Sequence, residues 1–518
     1  MAKLIFSDLL PVNGAQADTY EEQLWIYNAL DNCITREVWD RLPKEPTFAY
    51  TMSRAMQGPA LTMMRRGVRI DMAERDRLII IFEARQQKFA AMFARLTREG
   101  LGREINPQSP QQLKQLFYRL LGCDEIKRYD KTKRERVVTC NREALEKLIH
   151  IPRATMFVKL LLAFRELTKL LQVLKTGIDS DSRMRCSYNV TGTETGRWSS
   201  STNVFNTGTN LQNITDEMRR LFIADKGKKF IQYDLKQAES VVVAALSGDE
   251  NYIAACKSGD PHTFVCELCW PELPWQAPHE ATKKWKREVA ERPYYRHFSF
   301  RDMAKKGGHG RNYGGTERVL AMHLKVPVKV ANEFVEKYDA KFPGIRRWQR
   351  NVEQQLAATR QLTTPLGRRR YFTGRPTDSS VIKEAIAYVP QSTIGDLLNI
   401  GLYNVWEHMD LPGTVELLLQ VHDSILFQFD PTVISEADAI EQARRLLEVP
   451  IVINGTTWII GSDAVTGWNW GKVKRDKTTG EVINPHGLAD WTGSDNREPP
   501  AEKSPLDRRL CELYVPFK

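Results

Sequence analysis

Apolar residues recur at helical spacing through most of the first 180 positions. Glu21–Leu42 reads as one amphipathic helix, with Pro43 and Pro46 to stop it. Met72–Thr97 sets long apolar side chains among Arg, Gln and Glu, again at helical spacing. Asn106–Pro110 predicts a loop, then Ser109 as N-cap and Pro110 at the first helical position. Ile151–Lys175 predicts a long helix with a basic face.

The texture changes after Asp179. Tyr188–Asn213 is rich in Thr, Ser, Asn and Gly, which predicts turns and short strands. Lys229–Tyr233 reads as an apolar strand running out at Asp234, and Gln237–Leu246 returns to helix. Residues 255–363 are helical in pattern, and Thr364–Arg370 is a basic turn. Leu417–Phe429 is a hairpin pattern, two apolar runs flanking His422-Asp423. From Lys472 the chain turns polar and rich in Pro, Asp and Lys, so 472–518 is expected to be a flexible tail.

Length and composition narrow the class. A chain of 518 residues suggests three or four packed units, at about 100–200 residues per domain. With 42% hydrophobic and 27% charged residues it is neither collagen-like nor wholly disordered. The net charge of +11 favours an anionic partner, nucleic acid first. No apolar run approaches the ~18–20 residues that span a bilayer, and the N-terminus lacks the pattern of a secretory signal. The expectation is a cytoplasmic protein with no membrane partner. Eight scattered cysteines fit a reducing compartment. Cys266 and Cys269 form one CxxC without the second pair a structural zinc site needs.

Asp234 and Asp423 each stand where an apolar strand ends. Taken singly, either is equally a strand terminator or a turn residue. Brought together, they could hold two Mg²⁺ ions about 4 Å apart, one to activate a hydroxyl and one to stabilise a leaving phosphate. Between them in the chain, Arg301, Lys305, His309 and Tyr313 recur every four residues. On a helix that series drifts only ~40° per step over ~18 Å. Two cations, an imidazole and a phenol ring along one face suit a nucleoside triphosphate; a solvated basic helix is the plainer alternative. Gly307, Gly308 and Gly310 in the same segment imply a close backbone approach or a bend. A third element, Thr195–Ser200 followed by Asn210–Asn213, offers one Arg and several amides suited to sugars and minor-groove edges.

In this order the segments resemble family A DNA polymerases. TGRWSS with NLQNI is similar to the family's primer–template motif. Asp234–Asp249 (DLKQAESVVVAALSGD) is similar to its first palm motif, Arg301-x3-Lys305-x7-Tyr313-Gly314 to its fingers helix, and LQVHDS (Leu419–Ser424) to its last palm motif. Supporting matches are RRGVRID, INPQSPQQL, GDPHTF, LGRRR and the closing GWNWG. The resemblance implies an α+β, right-hand polymerase fold with a helical thumb, an antiparallel-sheet palm and helical fingers. Its expected bounds are thumb 47–185, palm 186–255 and 365–471, and fingers 256–364.

The resemblance also implies roles. Asp234 and Asp423, with the Leu235 carbonyl, would bind two Mg²⁺ ions. Arg301, Lys305 and His262 would contact the triphosphate of a dNTP. Glu239 would fill the space of a ribose 2′-OH, Tyr313 would stack near the templating position, and His309 and Gln237 would lie beside the nucleotide. Arg197, Gln391, His422, Asn210, Gln212 and Arg368 would contact the DNA primer–template. The chain departs from the family at His309, where Phe or Tyr is usual, at Trp198 and Ser424, and at Lys383 and Ala387 before Gln391.

Tyr27-x3-Asp31 matches the last motif of the 3′–5′ exonuclease that often precedes this polymerase. An i,i+4 pair of this kind is also common on any helix. Residues 1–46 are therefore expected to be an exonuclease remnant, or one piece of a nuclease split between chains. The implied activity is template-directed DNA synthesis without intrinsic proofreading, in phage replication, with a separate exonuclease or replisome proteins as further partners and the host cytoplasm as its location. Its rivals are an inactive DNA-binding factor and a ribonucleotidyl transferase.

Overall fold

The protein is described by a computed structural model over residues 19–42, 45–130, 134–276, 282–296, 298–476, 479–495 and 497–500. The chain divides into two compact units, residues 1–51 and 52–518. In the first, Tyr20–Arg41 is a helix opened by a capping box between Thr19 and Glu22. It carries Tyr27 and Asp31 one turn apart and buries none of its residues. The expected stop at Pro43 lies outside the described residues.

The second unit begins with helices. Met72–Leu101 starts where the Asp71 side chain accepts from the Glu74 amide, and ends at Gly102 in the left-handed conformation. It packs along Pro152–Leu174. Leu78 and Phe82 on one helix meet Leu167, Leu170 and Leu171 on the other in a shared core. Further along, Phe93 and Phe157 stack edge to face at 6.2 Å. Ser109 and Pro110 do open a helix, which widens into a π-helical segment over Gln115–Leu120. Two strand elements interrupt the helical pattern: a Lys127–Asp130/Glu135–Val138 hairpin, and Val68–Ile70 between Arg183–Met184 and Phe222–Ile223.

The centre of this unit is a five-stranded antiparallel sheet in the spatial order Val415–Val421, Ser424–Phe429, Lys229–Leu235, Ser462–Gly467, Ala489–Asp490. The first three strands of that order are buried along most of their length, with both faces covered, and are rich in apolar residues. One face packs on Ser379–Met409, a 31-residue helix with most of its length buried. Residues 261–359 form a second helical body around Trp270, Phe334, Tyr338 and Phe342. Cys266 and Cys269 are buried in that core, where burial pushes Cys269 up to about 12 and Cys266 higher still; both are inert thiols.

The segment expected to be a flexible tail carries paired strands within the described residues 472–476 and 479–495. Lys474–Arg475 pairs with Val482–Ile483, and Ala489–Asp490 adds the edge strand to the sheet. Lys229, only 5% exposed, explains why. A buried ammonium needs carboxylates, and Asp495 and Glu436 supply them at 2.8 and 2.7 Å. Burial works against the Asp495 charge, but Arg497 and Lys229 more than offset it and hold its carboxyl well below the usual range. Residues 501–518 lie outside the described residues.

Candidate active site

The sheet register joins the two aspartates. Ser424 pairs with Asp234 across the ladder, and the Leu235 amide donates to the Asp423 carbonyl at 3.4 Å. The strand ends therefore bring Asp234, Leu235 and Asp423 side by side. Asp423 sits in the tight turn between its strands, beside His422 at φ +54°. Ser424 closes that turn by donating to the Val421 carbonyl at 2.8 Å. Burial raises both carboxyls above their ordinary range, and Asp423 adds its like charge at Asp234. Asp463, paired across the ladder from Asp234, adds a further carboxylate that the sequence pattern did not reveal. Two oxygen donors that resist ionisation side by side are a fitting set for a hard divalent cation. Among the described residues, no cluster of three or more His, Cys, Asp or Glu forms a ready-made metal cage.

A chain of contacts leads away from the aspartates. Arg197 reaches Asp423 at 3.0 Å and Glu239 at 3.5 Å. The other oxygen of Glu239 meets His309 Nδ1 at 3.4 Å, and the His309 and Tyr313 rings stand edge to face at 5.0 Å. Burial and the Glu239 charge push the Tyr313 hydroxyl far above its usual range, so it stays neutral. At the far end, His262 is lowered to about 4 by burial and by the cations Arg301 and Lys305. Arg301 is held by Asp260 at 3.0 Å, a partner not picked out from the sequence. Lys305 is exposed and makes no ion pair among the described residues.

The carrier of these side chains is not a uniform helix. Phe300–Asp302 passes into a π-segment, Met303–Gly307, and returns to α-helix over Gly308–Asn312. Tyr313 falls just past its end. The glycines serve close packing: a Cβ on Gly307 would lie 2.6 Å from the Phe334 ring, and one on Gly310 2.5 Å from Leu320.

The remaining predicted residues divide. Gln237 is exposed at the N-cap of Ala238–Ser247, in the left-handed conformation. Gln391 lies one turn before Gly395, whose backbone abuts Arg197. Asn210 and Gln212 also make internal bonds. Asn210 accepts from Ser200 and the Gln212 amide, and Gln212 bonds Gln420 at 2.8 Å. Gln420 in turn donates to the His422 carbonyl at 2.6 Å, and Tyr188 bonds its backbone. These residues buttress the aspartate turn. Arg368 also faces inward. It grips Asp396, itself 0% exposed, through contacts of 2.7–3.1 Å. It lies against Gly196, at φ +77°, where a Cβ would come within 2.7 Å of its guanidinium carbon.

The arrangement can bind cations at one end, an anion at the other and a polar planar ligand between. Comparison with known proteins gives the same frame. Residues 81–458 match the profile of DNA polymerase family A. The thermostable DNA polymerase I of Thermus aquaticus is 29% identical over 429 residues, covering 77% of this chain and 46% of that protein. DNA polymerase I of Chloroflexus aurantiacus is 28% identical over 480 residues, covering 85% of this chain and 47% of the relative. The chain thus spans about half the length of the curated relatives it matches. Among solved structures, the POL domain of Pol1 from M. smegmatis, in complex with DNA primer-template and dNTP, superposes with a TM-score of 0.65. The two are 25% identical, over 82% of this chain and 70% of that one. No helix among the described residues is long and apolar enough to cross a membrane. With its family profile matched over most of its length, the chain belongs to DNA polymerase family A.

Proposed function

We propose that this protein is a template-directed DNA polymerase that adds dNTPs to a primer 3′-OH, working in phage replication without proofreading of its own. The observation that carries the reading is the run of contacts from His309 through Glu239 and Arg197 to Asp423, which the sheet register sets beside Asp234, with the cations Arg301 and Lys305, like His309, close enough to His262 to act on it electrostatically. It matches the polarity of a nucleoside triphosphate lying beside a reacting hydroxyl. On this reading residues 47–185 are the thumb, 256–364 the fingers, and 186–255 with 365–471 the palm.

The primer 3′-oxygen attacks the α-phosphorus, the bond to the β-phosphate oxygen breaks, and pyrophosphate leaves. Two Mg²⁺ ions held by Asp234, Asp423 and the Leu235 carbonyl would ease deprotonation of the 3′-OH and neutralise charge on the phosphates. Arg301 and Lys305 bind the triphosphate, and the neutral His262 offers it a hydrogen bond. Tyr313 and Gln237 bound the nucleotide's base and sugar. Arg197, Gln391 and His422 hold the primer end. Asn210, Gln212 and Arg368 contact the primer–template and also position the residues they bond. Because the barrier is lowered by placement and charge, every group must be in position before chemistry.

Primer extension with the purified chain tests the reading, using a matched and a mismatched 3′ end. The expected result is dNTP- and template-dependent extension of the matched primer and no removal of the mismatched nucleotide. No extension refutes the polymerase, and excision refutes the absence of proofreading.

Glu239 gives a sharper prediction. A carboxylate against the sugar's 2′ side denies room to a hydroxyl and, tied to Arg197 and His309, has little capacity left to accept its proton. Glu239→Ala is expected to raise ribonucleotide use relative to deoxynucleotide use by about tenfold or more, the cost of an unmatched polar contact. An unchanged ratio in single-nucleotide incorporation would remove Glu239 from that role.

A further inference from the structure

The helix Thr282–Ala290 holds cations where a helix is least suited to them. We infer that this helix and the strand after it form a binding surface for single-stranded DNA on the helical body of residues 261–359. The inference rests on the polymerase reading above for which strand is bound, and goes beyond it.

Residues 282–296 carry six cations, Lys283, Lys284, Lys286, Arg287, Arg292 and Arg296, against two carboxylates, Glu288 and Glu291. Two of these groups are already engaged. Lys286 pairs with Glu267 at 2.7 Å. Glu291 turns toward the Arg301 segment, accepting from the Ser299 hydroxyl at 3.4 Å and standing 3.8 Å from Arg301. Lys283, Lys284, Arg287 and Arg296 are exposed and make no ion pair among the described residues. Arg287 stands one turn after both Lys283 and Lys284, so like charges meet on one side of the helix. The two lysines also occupy a first turn that has no acidic residue, against the helix dipole. The helix gains nothing by itself from that arrangement. An anionic chain laid along it removes the repulsion.

The surface is held rigid. Trp285 donates its indole N–H to the Pro274 carbonyl at 2.9 Å, and Val289 and Ala290 are fully buried. The helix packs on Pro261–Cys269, which carries His262. Pro293–Tyr295 then pairs with Phe298–Ser299, and the Phe300 amide donates to the Arg292 carbonyl at 3.2 Å. The patch therefore runs directly into the segment that carries Arg301 and Lys305.

Aromatic rings narrow the ligand. Arg292 lies over the Trp285 ring at 5.6 Å, and Arg296 over the Tyr295 ring at 5.4 Å. Both arginines are exposed, so each offers a planar guanidinium backed by a ring. Unpaired bases stack on such planes while neighbouring cations answer their phosphates. A duplex hides the faces of its bases, and an acidic peptide has none to offer. During synthesis two single strands are at hand, the template beyond the primer end and a strand displaced ahead of it.

The test is DNA affinity, read by fluorescence anisotropy over a range of salt, for the natural chain and a Lys283→Ala/Lys284→Ala/Arg287→Ala variant. Three substrates are compared: a blunt duplex, the duplex with a template overhang, and the duplex with a flap on the other strand. Each single strand is about 15 nucleotides long, the upper end of single-strand sites. The natural chain is expected to bind at least one single-stranded substrate more tightly than the blunt duplex, and the tighter one identifies the strand. On that substrate the variant is expected to lose about tenfold in affinity, and its salt slope to fall by about 2, the share of three phosphates on a single strand. Its affinity for the blunt duplex should not change, and Lys283→Arg/Lys284→Arg should keep the natural values. Affinity in the natural chain that rises with neither single strand overturns the inference, as does an equal loss on all three substrates. No loss on any substrate overturns it too, and leaves the patch to another anion such as an acidic protein segment. Absence of primer extension by the natural chain overturns the polymerase reading, while the affinities still decide whether this surface binds single strands.

Discussion

Asp423→Asn and Asp234→Asn are each expected to reduce primer extension at least about a thousandfold, while the affinity for primer–template changes little. The size follows from the chemistry. The reaction gathers negative charge between a triphosphate and an ionising hydroxyl, and losing one preorganised charge partner at such a centre typically costs 10²–10³-fold or more. Amide oxygens keep the shape of the carboxylate but not its charge. The two variants separate two effects. Asp423 also anchors Arg197 at 3.0 Å, so its replacement frees that guanidinium as well. Asp234 has no such contact and sits at the end of its strand, where the change leaves the sheet ladder intact. Equal losses would show that the carboxylates matter as cation ligands and not through Arg197. Binding is expected to survive because DNA affinity comes mainly from phosphate contacts spread over a chain of net charge +11.

The pH dependence has a definite sign. Burial holds both carboxyls above their ordinary range, with the neighbouring charge of Asp423 adding to it at Asp234. Protons then compete with a divalent cation, so extension should fall on acidification, starting above the usual carboxylate pKa. More divalent cation should restore it. Substantial extension by either variant, measured by single-turnover incorporation with saturating DNA, would sink the assignment of both aspartates.

These residues were legible because their setting is local. An apolar run that stops at an acid marks a strand end, and LLLQVHDSILFQF marks both strands and the turn. Ser109-Pro110 announced a helix start through cap chemistry that needs no distant partner. What escaped notice is held from far away. Gln212 and Gln420 are 208 residues apart, yet together they fix the turn that carries Asp423. Lys229 and Asp495 are 266 apart, and their pairing helps tie a polar C-terminal segment to the sheet. Arg368 was expected to contact DNA, and its ion pair with Asp396, which a helix 28 positions later brings beneath it, could not be seen in a local pattern. Gly307 and Gly310 were visible as an anomaly, but their cause, the Phe334 ring and Leu320, lies on neighbouring helices. Val68–Ile70 is three residues long, too short for an alternating pattern to register between two helices.

Lys305→Ala is expected to lower kcat/KM for dNTP incorporation by about 10²–10³-fold, again the range for one charge partner of a developing phosphate charge. Arg301 cannot take over. Asp260 holds it at 3.0 Å and Glu291 stands 3.8 Å away, so much of its charge is already answered. Lys305 has no such partner among the described residues and is the cation most available to an incoming triphosphate. A second signal should move with it. His262 is held at about 4 by burial first, then by Arg301 and Lys305. Removing Lys305 leaves the first two causes in place, so the His262 pKa should rise part of the way toward 6.5. A bound triphosphate should act in the same direction in the natural chain, because its negative charge stabilises the imidazolium; nucleotide binding then takes up a proton and tightens as pH falls toward that range. NMR titration of the histidines with and without a dNTP reads both shifts, and steady-state incorporation reads the loss of rate. Unchanged kcat/KM in Lys305→Ala, together with an unmoved His262, would show that the triphosphate does not lie on this face of the segment.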